Sequence, residues 1–178
     1  MPVMEETQLI LDHKFDPQTC RHMVNGELMV MHCHHFITLY TQLAEDCGML
    51  DGKKLMAEVA EDTFNEMLNK YYREHEVTDV TDRITIAEQY YSAIGLGQMK
   101  VLCAGADGGE VELVHSHVDE GWLKKWGKHE TSVNYVTSGY IAGLFSAVFG
   151  QPTRHFNAVE TQSIVCGAKS SRFQVVAN

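Results

Sequence analysis

Met99-Lys-Val-Leu-Cys-Ala104, the turn Asp107-Gly-Gly109 and Glu110-Val-Glu-Leu-Val-His115 together read as a β-hairpin. Polar and apolar residues alternate with period two on both sides of a Gly-rich turn, as a sheet with one buried face requires. Before Gly97 the apolar period is helical. Phe36, Ile37, Leu39, Tyr40, Leu43 and Ala44 predict a helix from about His34 to Cys47, stopped by Gly48. Leu55, Met56, Val59, Ala60, Phe64, Met67, Leu68 and Tyr71 form one stripe from Lys53 to about Arg73. A third helix is predicted with Asp82 as its cap and Gly95 as its stop.

At the N-terminal end, Gln8-Leu-Ile-Leu-Asp12 and Leu28-Met-Val-Met-His32 read as short strands around the Asn25-Gly26 turn. After the hairpin come a short helix around Gly121 to Trp126 and a longer one from about Val133 to Phe149. Two strands follow, near His155 to Val165 and Arg172 to Ala177. The expected fold is α+β, an antiparallel sheet with helices packed mainly on one side.

The length of 178 residues fits a single domain, with a helical half over about 1–97 and a sheet-bearing core over about 98–178. Apolar residues at 44% and charged residues at 21% are ordinary globular usage, so a disordered or fibrous chain is excluded. A net charge of -10 opposes binding to nucleic acid, which needs Lys and Arg along a phosphate backbone. No run of apolar residues is long enough to span a bilayer, and Met1-Pro-Val-Met-Glu-Glu6 lacks a signal-peptide layout. Cys20, Cys33, Cys47, Cys103 and Cys166 are odd in number and show no C-x2-C spacing, which fits free thiols in the cytoplasm.

Two His-x-His pairs carry the clearest chemistry: His32 with His34, and His115 with His117. On a strand, residues two apart share a face, so each pair could present two imidazoles to one transition-metal ion, with Glu160 as a further ligand. The competing reading makes them hydrogen-bonding partners of backbone or carboxylate groups. If a helix begins by His32, that residue shares a face with His35 instead. Cys33 lies among imidazoles that could activate a thiol, yet strand neighbours point to opposite faces, which favours a buried, inert Cys33. Glu45, Asp46, Glu58, Glu61, Asp62 and Glu66 read as a solvated helix face. Gly139, Gly143 and Ala147 form a smooth helix face that either packs on the protein's own sheet or makes a homodimer contact.

The run His115-Ser-His-Val-Asp-Glu120, the helix Val133-Asn-Tyr-Val-Thr-Ser-Gly-Tyr-Ile-Ala-Gly143 and Glu160-x2-Ser163-x3-Gly167-x3-Ser171-x-Phe173 resemble the 4-vinyl reductase domain family. This family includes sensor domains of phenol- and xylene-responsive activators. The resemblance implies an internal apolar cavity near His115, and a structural zinc held by cysteines and a glutamate. Here the matching positions are Asn134, Glu160, Ser163 and Ser171. Asn and Ser are poor zinc ligands, so a metal-free hydrogen-bond cluster is expected there.

The leading expectation is a protein that binds an aromatic, hydrocarbon-like or tetrapyrrole-related small molecule through His115, His117, Trp122, Tyr135 and Tyr140. The alternative is a metal-dependent hydrolase, isomerase or lyase. In it His32, His34, His115 and His117 supply metal ligands, and Glu160, Glu120 or Cys33 acts on the substrate. A third reading is a structural or assembly role.

Overall fold

A computed structural model of the chain describes residues 7–30 and 32–178. The N-terminal segment read for a leader, residues 1–6, and Met31 of the second expected strand lie outside the described residues. Three short strands open the chain, β1 (His13–Asp16), β2 (Arg21–Val24) and β3 (Glu27–Met29). Three helices follow, α1 (His34–Asp46), α2 (Gly52–Glu74) and α3 (Val80–Ala93). The hairpin β4 (Gly97–Gly105) and β5 (Gly108–Ser116) leads to α4 (His117–Trp126) and α5 (Tyr135–Phe149), then β6 (Phe156–Gln162) and β7 (Ser171–Ala177).

The main sheet is antiparallel with strand order β4-β5-β7-β6, and β1-β2-β3 form a separate small sheet. Met99, Val111, Leu113, Phe156, Ala158, Phe173 and Val175 point inward and are buried. The other face is polar: Arg172 pairs with Glu110 at 3.2 Å and with Glu112 at 3.3 Å. One covered and one solvated face is what the period-two alternation requires.

α5 packs on the inner face of β6 and also against α2. The close approach of α2 and α5 depends on two glycines. A Cβ on Gly139 would sit 2.1 Å from the carbonyl oxygen of Ala57, and one on Gly143 would sit 2.7 Å from that of Glu61. The small-residue face of α5 is therefore used inside the chain. The space between helices and sheet holds Tyr90, Tyr91, Tyr140, Phe145, Ile141 and Phe173, all essentially without exposure. This core cluster draws on residues from both sides of position 97. Two of its polar tips are paired: the Tyr140 hydroxyl donates to the Ala87 carbonyl at 2.6 Å, and Tyr91 meets Thr137 at 3.0 Å.

Several local expectations are corrected. Residues 8–12 form no strand, and the first strand begins at His13. Asp79, not Asp82, caps α3, accepting from the backbone N–H of Thr81 and Asp82. Asp82 then lies in the first turn, where an acid suits the helix dipole. The acidic series is only partly solvated. Glu61 is buried, accepting from the Arg154 backbone N–H at 2.5 Å and from its guanidinium at 2.8 Å. On α1 only Ile37, Thr38, Thr41 and Ala44 turn inward, whereas Phe36, Leu39, Tyr40 and Leu43 are exposed.

Candidate functional site

Alternation along β5 predicts that His115 follows Val111 and Leu113 onto the inner face. It does not, because the β4–β5 register slips between Gln98 and Met99. Gln98 pairs with His115 while Met99 pairs with Leu113, which leaves Val114 as an extra residue on β5. Such a bulge inverts the alternation beyond it. His115 turns outward with 67% of its side chain exposed, 3.6 Å from the equally open Glu120, and Ser116 takes the inner place with no exposure.

Ser116 then organises a buried polar cluster. Its hydroxyl oxygen accepts from the Asp119 backbone N–H, capping α4, and the hydroxyl donates to Asn134 Oδ1 at 3.1 Å. The Asn134 amide nitrogen donates to Asp119 Oδ2 at 2.5 Å and to Glu160 Oε1 at 3.3 Å. Ser171 donates to Asp119 Oδ2 at 3.3 Å and accepts from the Ile164 backbone N–H at 3.0 Å. Glu160 reaches the cluster because it follows Phe156 and Ala158 on the inner face of β6.

Two carboxylates in one buried site oppose ionisation. Burial, with the Asp119 charge adding to it, pushes Glu160 up to about 7 against the hydroxyls of Ser171 and Ser163 and the Asn134 amide. Asp119 is also raised, chiefly by burial, with the Asn134, Ser116 and Ser171 hydrogen bonds resisting. Asp119 Oδ1, Glu160 Oε2 and Ser163 Oγ complete no hydrogen bond of ordinary geometry.

The positions that the family resemblance equates with zinc ligands belong to this cluster, but the donors do not fit a thiolate zinc site. Asn134, Ser163 and Ser171 supply no thiolate, and the Asn134 amide N–H group, not an open space, lies between the two carboxylates. Cys166 is exposed. Among the described residues, no three His, Cys, Asp or Glu side chains are arranged to hold a metal ion.

Neither His-x-His pair lies along a strand. Cys33 caps α1, so His34 is its first residue, and His117 is the first residue of α4. The two helix starts meet instead: the His32 and His117 rings are 5.7 Å apart. His117 is held below its ordinary value by burial first and then by His32 and His34. Cys33 is exposed, contrary to the buried thiol expected, and its Sγ lies 3.4 Å from His35 Nδ1. Starting a helix at His34 turns the chain, so residues two apart no longer alternate as on a strand.

The candidate ligand residues separate into different environments. Tyr140 is core. Tyr135 donates to Glu45 and lines an open cleft of about 610 Å³ with Lys53, Ala57, Arg154 and Phe156. Trp122 lies in a second, smaller apolar cluster with Ile37, Val118, Val133 and Val165. Its indole Nε1–H is buried and has no acceptor, and the same is true of His34 Nε2. His34 lies at the α1–α4 contact, where a Cβ on Gly121 would sit 3.1 Å from His34 Cβ and 2.8 Å from Thr38 Oγ1.

Sequence reading did not single out Asp119 or Ser116. The one signal was Ser116-x-x-Asp119 ahead of an apolar helix, which reads as a capping pattern and says nothing of contact with Asn134.

Comparison with known structures agrees with this architecture. The phenol-responsive sensory domain of the transcription activator PoxR, solved with phenol, gives a TM-score of 0.76 at 14% identity. The match covers 93% of this chain and 84% of that one. A vinyl-4-reductase family protein from Methanocaldococcus jannaschii gives 0.50 at 11% identity, over 81% of this chain and 77% of that one. A trafficking protein particle complex subunit 3 from Naegleria fowleri, covalently bound to palmitic acid, gives 0.55 at 10% identity, over 82% and 94%. No protein-family model matches the sequence, and no curated protein is significantly similar to it. The resemblance read between His115 and Phe173 thus holds at the level of fold: this chain has the α+β fold of the phenol-responsive sensory domain and the vinyl-4-reductase family protein.

Proposed function

We propose that this protein binds a small aromatic, hydrocarbon-like or tetrapyrrole-related molecule in an apolar interior between α1 and α4. The observation that carries the reading is Trp122, whose buried indole N–H lacks an acceptor inside an apolar cluster. A buried donor left unpaired costs about 1–3 kcal/mol, and a ligand hydroxyl or carbonyl entering the cluster removes that cost. Apolar walls with one or two aimed polar groups are how small ligands are held. The fold shared with a domain solved with phenol supports the same class of ligand.

In this reading His34 and His117 are the further polar contacts at the helix starts, and His115 is not in contact with the ligand. A homodimer in the cytoplasm, acting without nucleic acid, completes the proposal, and no described helix is long and apolar enough to cross a membrane. Phenol is the first probe, titrated by calorimetry. Saturable binding that weakens roughly 10-fold in Trp122→Phe supports the reading, since that change removes the N–H and keeps an aromatic ring. No saturable heat with phenol, p-xylene or palmitate sinks it.

The metal-dependent enzyme keeps one favouring observation, the His32–His117 approach at 5.7 Å. Two imidazoles at that separation could share an ion. Stoichiometric transition metal lost on His117→Ala, in elemental analysis of the purified chain, would move the assignment there.

A further inference from the structure

The outer face of α1 is the reverse of an ordinary surface helix. Its inward residues include Thr38 and Thr41, whose hydroxyls donate to the carbonyls of His34 at 2.7 Å and Ile37 at 2.8 Å. Its largest apolar side chains point out: Phe36 is 53% exposed, Leu39 45%, Tyr40 53% and Leu43 56%. A helix on a monomer's surface places such residues on the core side.

Val30, Met49 and Leu50, which flank the helix in sequence, are also open, at 79%, 96% and 66% exposure. A standard interface takes roughly 800 Å² from each partner, and large apolar side chains left this open are what supplies it. Extended exposed apolar patches are rare on monomers.

The pattern also identifies the occupant. Phe36, Leu39, Tyr40 and Leu43 are symmetric about the midpoint between Leu39 and Tyr40. An antiparallel copy of α1, related by a twofold axis there, sets Phe36 against Leu43 and Leu39 against Tyr40, apolar on apolar throughout. A twofold contact requires this self-complementarity. The same rotation brings His35 at one helix start near Asp46 at the other helix end and opposes the poles of the two helix dipoles.

We infer that α1 is the contact helix of a twofold homodimer, pairing antiparallel with α1 of a second copy through Phe36, Leu39, Tyr40 and Leu43. This gives the proposed homodimer its surface and is independent of the ligand reading. It also replaces the small-residue face of α5, which is occupied by α2.

Sedimentation velocity on the full chain is the first test. A concentration-dependent dimer is expected, with Leu39→Glu raising its dissociation constant at least about 100-fold, as for residues at an interface centre. Circular dichroism should show an intact fold, because Leu39 is 45% exposed. Single-species monomer at every concentration overturns the homodimer itself. A dimer indifferent to both Leu39→Glu and Leu43→Glu leaves a dimer but overturns this interface.

The exposed thiols provide a second readout. Cys33 and Cys47 flank α1 and are separated within one chain by roughly 20 Å of helix, too far for an internal disulfide. Antiparallel pairing brings Cys33 near Cys47 of the partner subunit. Mild oxidation with copper phenanthroline and dioxygen removes two electrons and two protons from the thiol pair. It should join Cys33 to Cys47 between chains, and either Cys33→Ser or Cys47→Ser should abolish that joined peptide. A Cys33-to-Cys33 product in its place signals parallel helices and overturns the proposal.

Discussion

The Asn134 amide nitrogen donates to Asp119 at 2.5 Å and to Glu160 at 3.3 Å, so one side chain at the start of α5 ties α4 to β6. Ser116 and Ser171 close the same cluster from β5 and β7. In Asn134→Ala both carboxylates lose their shared donor while staying buried. A loss of about 2–4 kcal/mol is expected, within the range for breaking buried charged hydrogen bonds. Urea unfolding of the variant and parent measures it, and a change below about 0.5 kcal/mol contradicts the account of the cluster.

Glu160 makes stability depend on pH. Its folded value near 7 exceeds its ordinary 4.5, chiefly because of burial, so the folded chain holds a proton that the unfolded chain releases. That contribution is fully present below about 4.5 and is lost as pH rises through about 7, by at most roughly 3 kcal/mol. His34 and His117, both held below 6.5, act in the opposite sense. The comparison is therefore between parent and Glu160→Gln. The melting temperature of the parent should drop relative to the variant between about pH 5 and pH 8. Parallel profiles would mean that Glu160 ionises normally.

Gly139 sets the distance between α2 and α5. Its missing side chain lets the Ala57 carbonyl approach to where a Cβ would lie 2.1 Å away, with the Ala60 Cβ at 2.8 Å. Gly139→Ala must push the helices apart, although Ala is the better helix former. A destabilisation of about 1–3 kcal/mol is expected by chemical denaturation, as for other overpacked contacts.

Arg154 compensates a buried acid. Glu61 accepts from its backbone N–H and from its guanidinium, which also pairs with Asp62 at 2.7 Å. Removing the guanidinium in Arg154→Met should cost roughly 2–4 kcal/mol because Glu61 keeps its burial and loses most of its partner. Adding Glu61→Gln should recover part of that loss. A double-mutant cycle with no coupling rejects the pairing.

The local elements and the one-sided sheet are legible in the chain, because apolar period and turn residues act over a few neighbours. The period change after Gly97 announces the β4–β5 hairpin, the stripe from Leu55 places α2, and the stop at Gly95 places the end of α3. Reading Asn134, Glu160, Ser163 and Ser171 as replaced ligands points to a real polar cluster without revealing its central acid, Asp119. Glu61 looks like one more surface carboxylate until Arg154 arrives from a distant turn.

The sequence by itself determined that helices alternate with an antiparallel sheet, since those patterns are local. Only the tertiary structure decided which groups face each other. One extra residue at Val114 turns His115 out and Ser116 in, and strand alternation cannot announce a bulge that exists only in the pairing with β4. The apolar stripe of α1 likewise identifies a helix but not its direction. Only the contact with α4 shows that Thr38 and Thr41 face inward and the larger side chains outward.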